Sequence, residues 1–178
     1  AVKSKLEVVK NNYPGEFKTV TINGVDYKQA RGEVGKYGGT IYTSIIGEGP
    51  KTFNPWSSKD STSTAMCDLM FDGLVTTDAY TGKVVPQLAK AVNVDKSGTK
   101  YTVILRKGLK WSDNKPITSE DVIFTWNNIV AAGYGNTSMR DNVLINGKAP
   151  EVKAIDKYTV EFKTNQPFAP FIRQLSLA

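Results

Sequence analysis

The stretch from residue 91 to 130 constrains the chain most. Tyr101, Val103 and Leu105 alternate with Thr102, Ile104 and Arg106, the period of a strand with one buried face. Asp95-Lys96-Ser97-Gly98 before it is a turn cluster whose glycine can take positive φ. A tight turn is expected at Trp111-Ser112-Asp113-Asn114-Lys115-Pro116, with Asn114 tolerating the left-handed position. Thr118 then caps a helix, with Asp121 in its acidic first turn. Val122, Trp126, Ile129 and Val130 share one face at helical spacing. Trp111 and Trp126 both read as core anchors.

The flanking sequence supplies short strands and turns. Alternating residues around Asn23-Gly24 predict a type I′ hairpin over 18–28, read as a decorative surface element. Residues 32–39 form a glycine-rich linker without the Gly-Lys-Ser/Thr ending of a phosphate cradle. Residues 40–46 read as a strand ending on two isoleucines, and residues 47–55 as a loop that leaves it sharply. Asp60 or Ser61 caps a helix through Ala65, Met66, Leu69 and Met70 to Phe71, with Gly73 as its C-cap. Residues 131–150, rich in Gly, Asn and Ser, read as a long irregular segment. Residues 152–163 form a hairpin turning at Asp156-Lys157, with Val160 and Phe162 inward. The fold class is α+β: a mixed or antiparallel sheet with two main helices. Its expected core is Leu69, Phe71, Leu74, Val103, Leu105, Val122, Trp126, Val160 and Phe162.

Composition bounds the chemistry. The net charge of +6 comes from dispersed lysines, with no basic run and no nucleic-acid module, so no nucleic-acid partner is expected. With no histidine and one cysteine, the usual general base, the commonest metal ligand and an internal disulfide are all missing. Cys67 reads as a small buried hydrophobe. No nucleophile elbow or metal-ligand cluster accompanies the serines and carboxylates, so neither an enzyme, a cofactor nor a metal is expected. No apolar run reaches membrane-span length, and residues 1–5 carry no apolar signal region.

Several motifs occur in a telling order: Gly38-Gly39-Thr40 before a strand, Phe53-Asn54-Pro55, Phe71-Asp72-Gly73-Leu74-Val75, Pro86-Gln87-Leu88-Ala89, Trp111-Ser112-Asp113-Asn114, and Val152 to Val160. This succession resembles the extracellular solute-binding proteins of peptide ABC transporters, the oligopeptide- and dipeptide-binding group. The resemblance runs from about residue 38 to 177. It departs from the pattern where Asn114 replaces a glycine and where Lys90-Ala91-Val92 replaces the usual acidic and Trp residues after Leu-Ala.

The resemblance implies a type II periplasmic-binding-protein-like fold holding ligand between two lobes. Residues 1–37 are then an N-terminal extension and 38–53 the first strand and loop of lobe I. Residues 54–165 are a small inserted α+β domain, and 166–178 a truncated return into lobe I. The chain then holds only the N-terminal part of such a protein. The implied ligand contacts are Gly47, Glu48, Gly49, Pro50 and Lys51, chiefly through backbone groups, with Tyr134, Ser138 and Arg140 from the small domain. Arg140 has the donor fork that suits a peptide carboxylate. The implied partners are a peptide and the permease subunits of an importer. The implied state is a monomer, and the implied location periplasmic or extracellular, with a possible lipid anchor. A nickel complex, haem or an oligosaccharide are alternative solutes, and a standalone protein-interaction or dimerisation module is an alternative function.

Overall fold

The structure, a computed structural model, describes residues 19–28 and 38–177 except 80 and 136. A hairpin of β1 (Thr19–Ile22) and β2 (Val25–Lys28) comes first. Then follow α1 (Ser61–Asp68), β3 (Val75–Thr77), β4 (Val84–Pro86), β5 (Ala89–Val94) and β6 (Lys100–Leu105). Next come α2 (Ser119–Thr125), a π-helical turn (Trp126–Val130) and α3 (Thr137–Val143). The chain closes with β7 (Glu151–Asp156), β8 (Thr159–Lys163), α4 (Phe171–Gln174) and a 3₁₀ turn (Leu175–Leu177). The main sheet is antiparallel, in the order β5-β6-β8-β7, and β1-β2 and β3-β4 are separate ribbons.

Strand β6 is the spine of the core, as its alternation requires. Tyr101, Val103 and Leu105 are buried, and Val103 sits across from Val92 on one side and Val160 on the other. Helix α2 and its π turn cover this face. Trp126 is fully buried, edge-on to Phe162 at 5.0 Å and to Phe171 at 5.8 Å. Its indole N–H donates to the Pro150 carbonyl at 3.0 Å, so the one polar atom of the ring is satisfied. Tyr101 stacks edge-on to Phe171 at 4.8 Å and donates its hydroxyl to the Phe168 carbonyl at 2.9 Å. At the start of α2, the Thr118 N–H and Oγ1 both donate to Asp121 Oδ2, at 2.8 and 3.0 Å. The Ser119 N–H donates to the Lys157 carbonyl, which ties the helix to the β7–β8 turn.

Several expectations hold. The Asn23-Gly24 turn has φ of 51° and 77°, the left-handed pair of a I′ hairpin. Asn114 stands at φ 68° and Cys67 is buried. The Asp156-Lys157 hairpin forms with Val160 and Phe162 inward.

Others are corrected. Residues 40–46 form no strand: Ile41, Tyr42 and Ile46 are almost fully exposed. β propensity cannot hold a strand without a neighbour to bond it, and none of the described residues pairs there. Helix α1 stops at Asp68, so Leu69, Met70 and Phe71 leave the helical face and are exposed. Its buried side is polar, through Thr62 and Ser63, with Cys67. Gly73 is therefore no C-cap. A Cβ there would lie 2.2 Å from the Ser176 carbonyl oxygen, so its role is close backbone approach.

Trp111 is 45% exposed rather than core. It sits at the tip of a turn closed by the Lys110–Pro116 bridge, with its indole N–H toward Asp121 Oδ1 at 3.3 Å. The segment 131–150 is not irregular throughout: it holds α3 and buries Val143 and Ile145. Within the expected return segment 166–178, Phe171 and Leu175 are fully buried in the same core as the main sheet.

The hairpin β1-β2 is not decorative. Asp26 is buried, and its carboxylate accepts from Thr21 Oγ1 at 2.6 Å, Lys90 Nζ at 3.3 Å and the Lys107 N–H at 3.4 Å. Its own N–H donates to the Lys107 carbonyl at 2.9 Å. The glycine-rich linker lies outside the described residues apart from Gly38 and Gly39.

Candidate functional site

The loop over 47–59 is shaped by its own polar groups. Gly47 has φ 111°, a backbone that side-chain-bearing residues rarely adopt. The Asn54 side-chain oxygen accepts from the Trp56 N–H at 2.9 Å, an Asx turn that Pro55 pre-sets. Further back, the Lys51 and Thr52 N–H groups both donate to Ser63 Oγ, at 2.9 and 3.1 Å. Ser63 is fully buried, and its own N–H donates to the N-cap carboxylate of Asp60 at 2.8 Å. That bond leads the causes that hold the Asp60 carboxyl below its ordinary value. The loop is thus fastened to the start of α1. Gly47, Glu48, Gly49, Pro50 and Lys51 are all exposed, and Lys51 Nζ meets Glu48 Oε2 at 3.6 Å.

The second expected group follows the π turn. There the Ala131 N–H reaches the Trp126 carbonyl at 2.8 Å, one residue wider than an α-helical bond. The chain then passes through Gly133 and Gly135, both at φ 71°. A Cβ on Gly135 would lie 2.7 Å from the Trp56 carbonyl oxygen, so this glycine lets the two loops touch. Lys59, Gly133, Gly135, Thr137 and Ser138 line one open depression between them.

The structure therefore brings Ser138 to the loop over 47–59. Tyr134 is exposed and does not line the depression, although it precedes Gly135 in the chain. Arg140 is already engaged: its Nε and Nη2 donate to Asp141 Oδ1 at 3.0 and 2.9 Å. Sequence reasoning did not single out Lys59, Gly133, Gly135 and Thr137. The available signals were the two close glycines in 131–150 and the Asn54-Pro55 turn just before Trp56 and Lys59. Among the described residues no group of three Cys, Asp or Glu could hold a metal, and no helix is long and apolar enough to cross a membrane.

Residues 83–178 match the model of the bacterial extracellular solute-binding proteins, family 5, middle region. The chain belongs to this family. Among similar proteins, the probable deoxycholate-binding periplasmic protein YgiS of Escherichia coli is 32% identical over 140 residues, 71% of this chain and 26% of that protein. The dipeptide-binding protein of the same organism is 30% identical over 72% of this chain and 26% of its own length. Among solved structures, the ABC transporter substrate-binding protein CtaP of Listeria monocytogenes superposes with a TM-score of 0.64 at 29% identity. It covers 75% of this chain and 26% of that one. A periplasmic oligopeptide-binding protein of Borrelia burgdorferi superposes with a TM-score of 0.63 at 28% identity, over 74% and 29% of the two chains. The chain spans about a quarter of the length of these relatives. The type II binding-protein fold expected from the motif order is the fold of these neighbours.

Proposed function

We propose that this chain belongs to the substrate-binding component of an ABC importer that captures peptides outside the cytoplasm and hands them to a membrane permease. The observation that carries the reading is the family 5 match over 83–178, together with relatives named for dipeptides and oligopeptides. Binding, not catalysis, is the role. Residues 38–53 and 166–178 belong with the first lobe of such a protein and 54–165 with its small domain. A lipid anchor and a monomeric state go with the same reading.

The ligand face in this chain is the junction of the loops over 47–59 and 131–138, presented as an open depression rather than an enclosed chamber. Ligand sites that bind tightly bury most of the ligand. So the 178-residue chain is expected to hold a peptide weakly, with a Kd of roughly 1 mM. Saturation-transfer NMR on a pool of di- to pentapeptides, deoxycholate and an α-galactoside tests this. Transfer to peptides above the other two supports it. Selective transfer to the galactoside, or to nothing in the pool, overturns it.

A further inference from the structure

The depression between the turn at 56–59 and the loop at 133–138 has a chemistry of its own. Three cations border the two candidate loops. Lys51 is paired with Glu48 at 3.6 Å, and Arg140 with Asp141 at 2.9 Å. Lys59 lines the depression, and no carboxylate among the described residues pairs with it. Among the described residues that line the depression none is acidic. The neighbouring Asp60 carboxylate is engaged as the N-cap of α1, accepting the Ser63 N–H. The remaining lining is two hydroxyls, Thr137 and Ser138, and two glycines. Contact with the Trp56 carbonyl fixes Gly135, and Gly133 is packed against the Arg140 Cβ, where an added Cβ would lie at 3.3 Å. The wall is thus side-chain-free at both glycines and cannot easily be filled.

We infer that this depression receives a ligand carboxylate, with Lys59 as its counter-ion and the hydroxyls of Thr137 and Ser138 beside it. The assignment rests on the solute-binding reading above. It selects Lys59 rather than Arg140, whose guanidinium would first have to leave Asp141. An ammonium with no carboxylate partner among the described residues loses no ion pair to them when the ligand arrives, whereas Lys51 and Arg140 would each exchange one partner for another. A peptide C-terminus and the carboxylate of a bile acid offer the same chemistry, and the experiment separates them.

The probes are tetra-alanine, tetra-alanine amide and deoxycholate below its micellar concentration. Each is titrated into the 178-residue chain and into its K59Q and K59R variants, with affinity read from amide chemical shifts. Amidation is expected to weaken peptide binding about threefold to fivefold in the parent, as for a half-exposed ion pair. The effect should vanish in K59Q and return in K59R. Shifts should centre on Gly133, Gly135, Thr137 and Ser138. If deoxycholate rather than tetra-alanine shows the Lys59 dependence, the carboxylate site stands and its source is not a peptide. If acid and amide bind alike in all three proteins, the Lys59 assignment falls while peptide capture stands. If none of the probes binds, both fall for this chain. The K59Q amide spectrum, unchanged outside the depression, shows that the variant is folded.

Discussion

At the scale of single residues, Asp26 and the two tryptophans are the informative cases. The Asp26 carboxylate lies below its ordinary value, chiefly because Thr21 donates to it, and the Lys107 N–H and Lys90 reinforce that. A folded-state pKa below the unfolded one stabilises above the unfolded value and loses that stabilisation as the pH falls through the folded value. Docking of the β1-β2 hairpin should therefore be intact at neutral pH and weaken on acidification below about pH 4. Amide exchange at Val25 and Asp26 would show that acid step, and D26N should have none. D26N should also expose the hairpin amides at pH 7. The tryptophans separate by burial. W126A empties a site ringed by Phe162 and Phe171 and should cost about 3–5 kcal/mol in denaturant unfolding. W111A, at a half-exposed turn, should cost under about 1 kcal/mol. The sequence presented both as aromatics near an amphipathic helix. Only the turn geometry distinguishes them, and a spacing argument does not contain it.

At the scale of elements, what could be read depended on whether the signal was local. The period-2 strand at Lys100–Leu105, the Asn23-Gly24 hairpin and the Thr118 start of α2 carry their own instructions, and each formed. The run at 40–46 carries the composition of a strand but no partner, and pairing is a property of two segments. The end of α1 escapes the pattern for a related reason: Leu69, Met70 and Phe71 look periodic only while the helix continues, and it stops at Asp68. The π turn at Trp126–Val130 adds one residue that no periodicity reveals. Nor did composition show that Gly108, at φ 83°, lies under Val25 of the hairpin. A Cβ there would come within 2.7 Å of the valine side chain. G108A should thus release the hairpin and leave the main sheet intact. Faster amide exchange at 20–28, with unchanged exchange in β6 and β8, is the expected pattern. Equal loss in both would mean that the hairpin is part of the core.

At the scale of the whole molecule, one core runs from Leu74 to Leu175, and the candidate ligand face lies on the loops outside it. The family was legible because its motifs come in order along the chain. The loops at 47–51 and 131–138 were legible as candidates, but their junction through Trp56 and Gly135 was not, since it joins residues some eighty positions apart. The surface also carries apolar side chains that the core does not use: Ile41, Tyr42, Ile46, Leu69, Met70 and Phe71. Such exposure favours association. Replacing Leu69 and Phe71 together by Gln should leave thermal stability within about 0.5 kcal/mol of the parent and reduce self-association at high concentration, as sedimentation would show.

The most direct test of the account is to map a bound peptide. In an amide-shift titration of the chain with an extended tetrapeptide, the perturbed residues should fall on 47–59 and 133–140 and spare the β1-β2 hairpin and β7. Perturbations centred on the hairpin or on the outer edge of β7, with 47–59 and 133–140 unmoved, would contradict it.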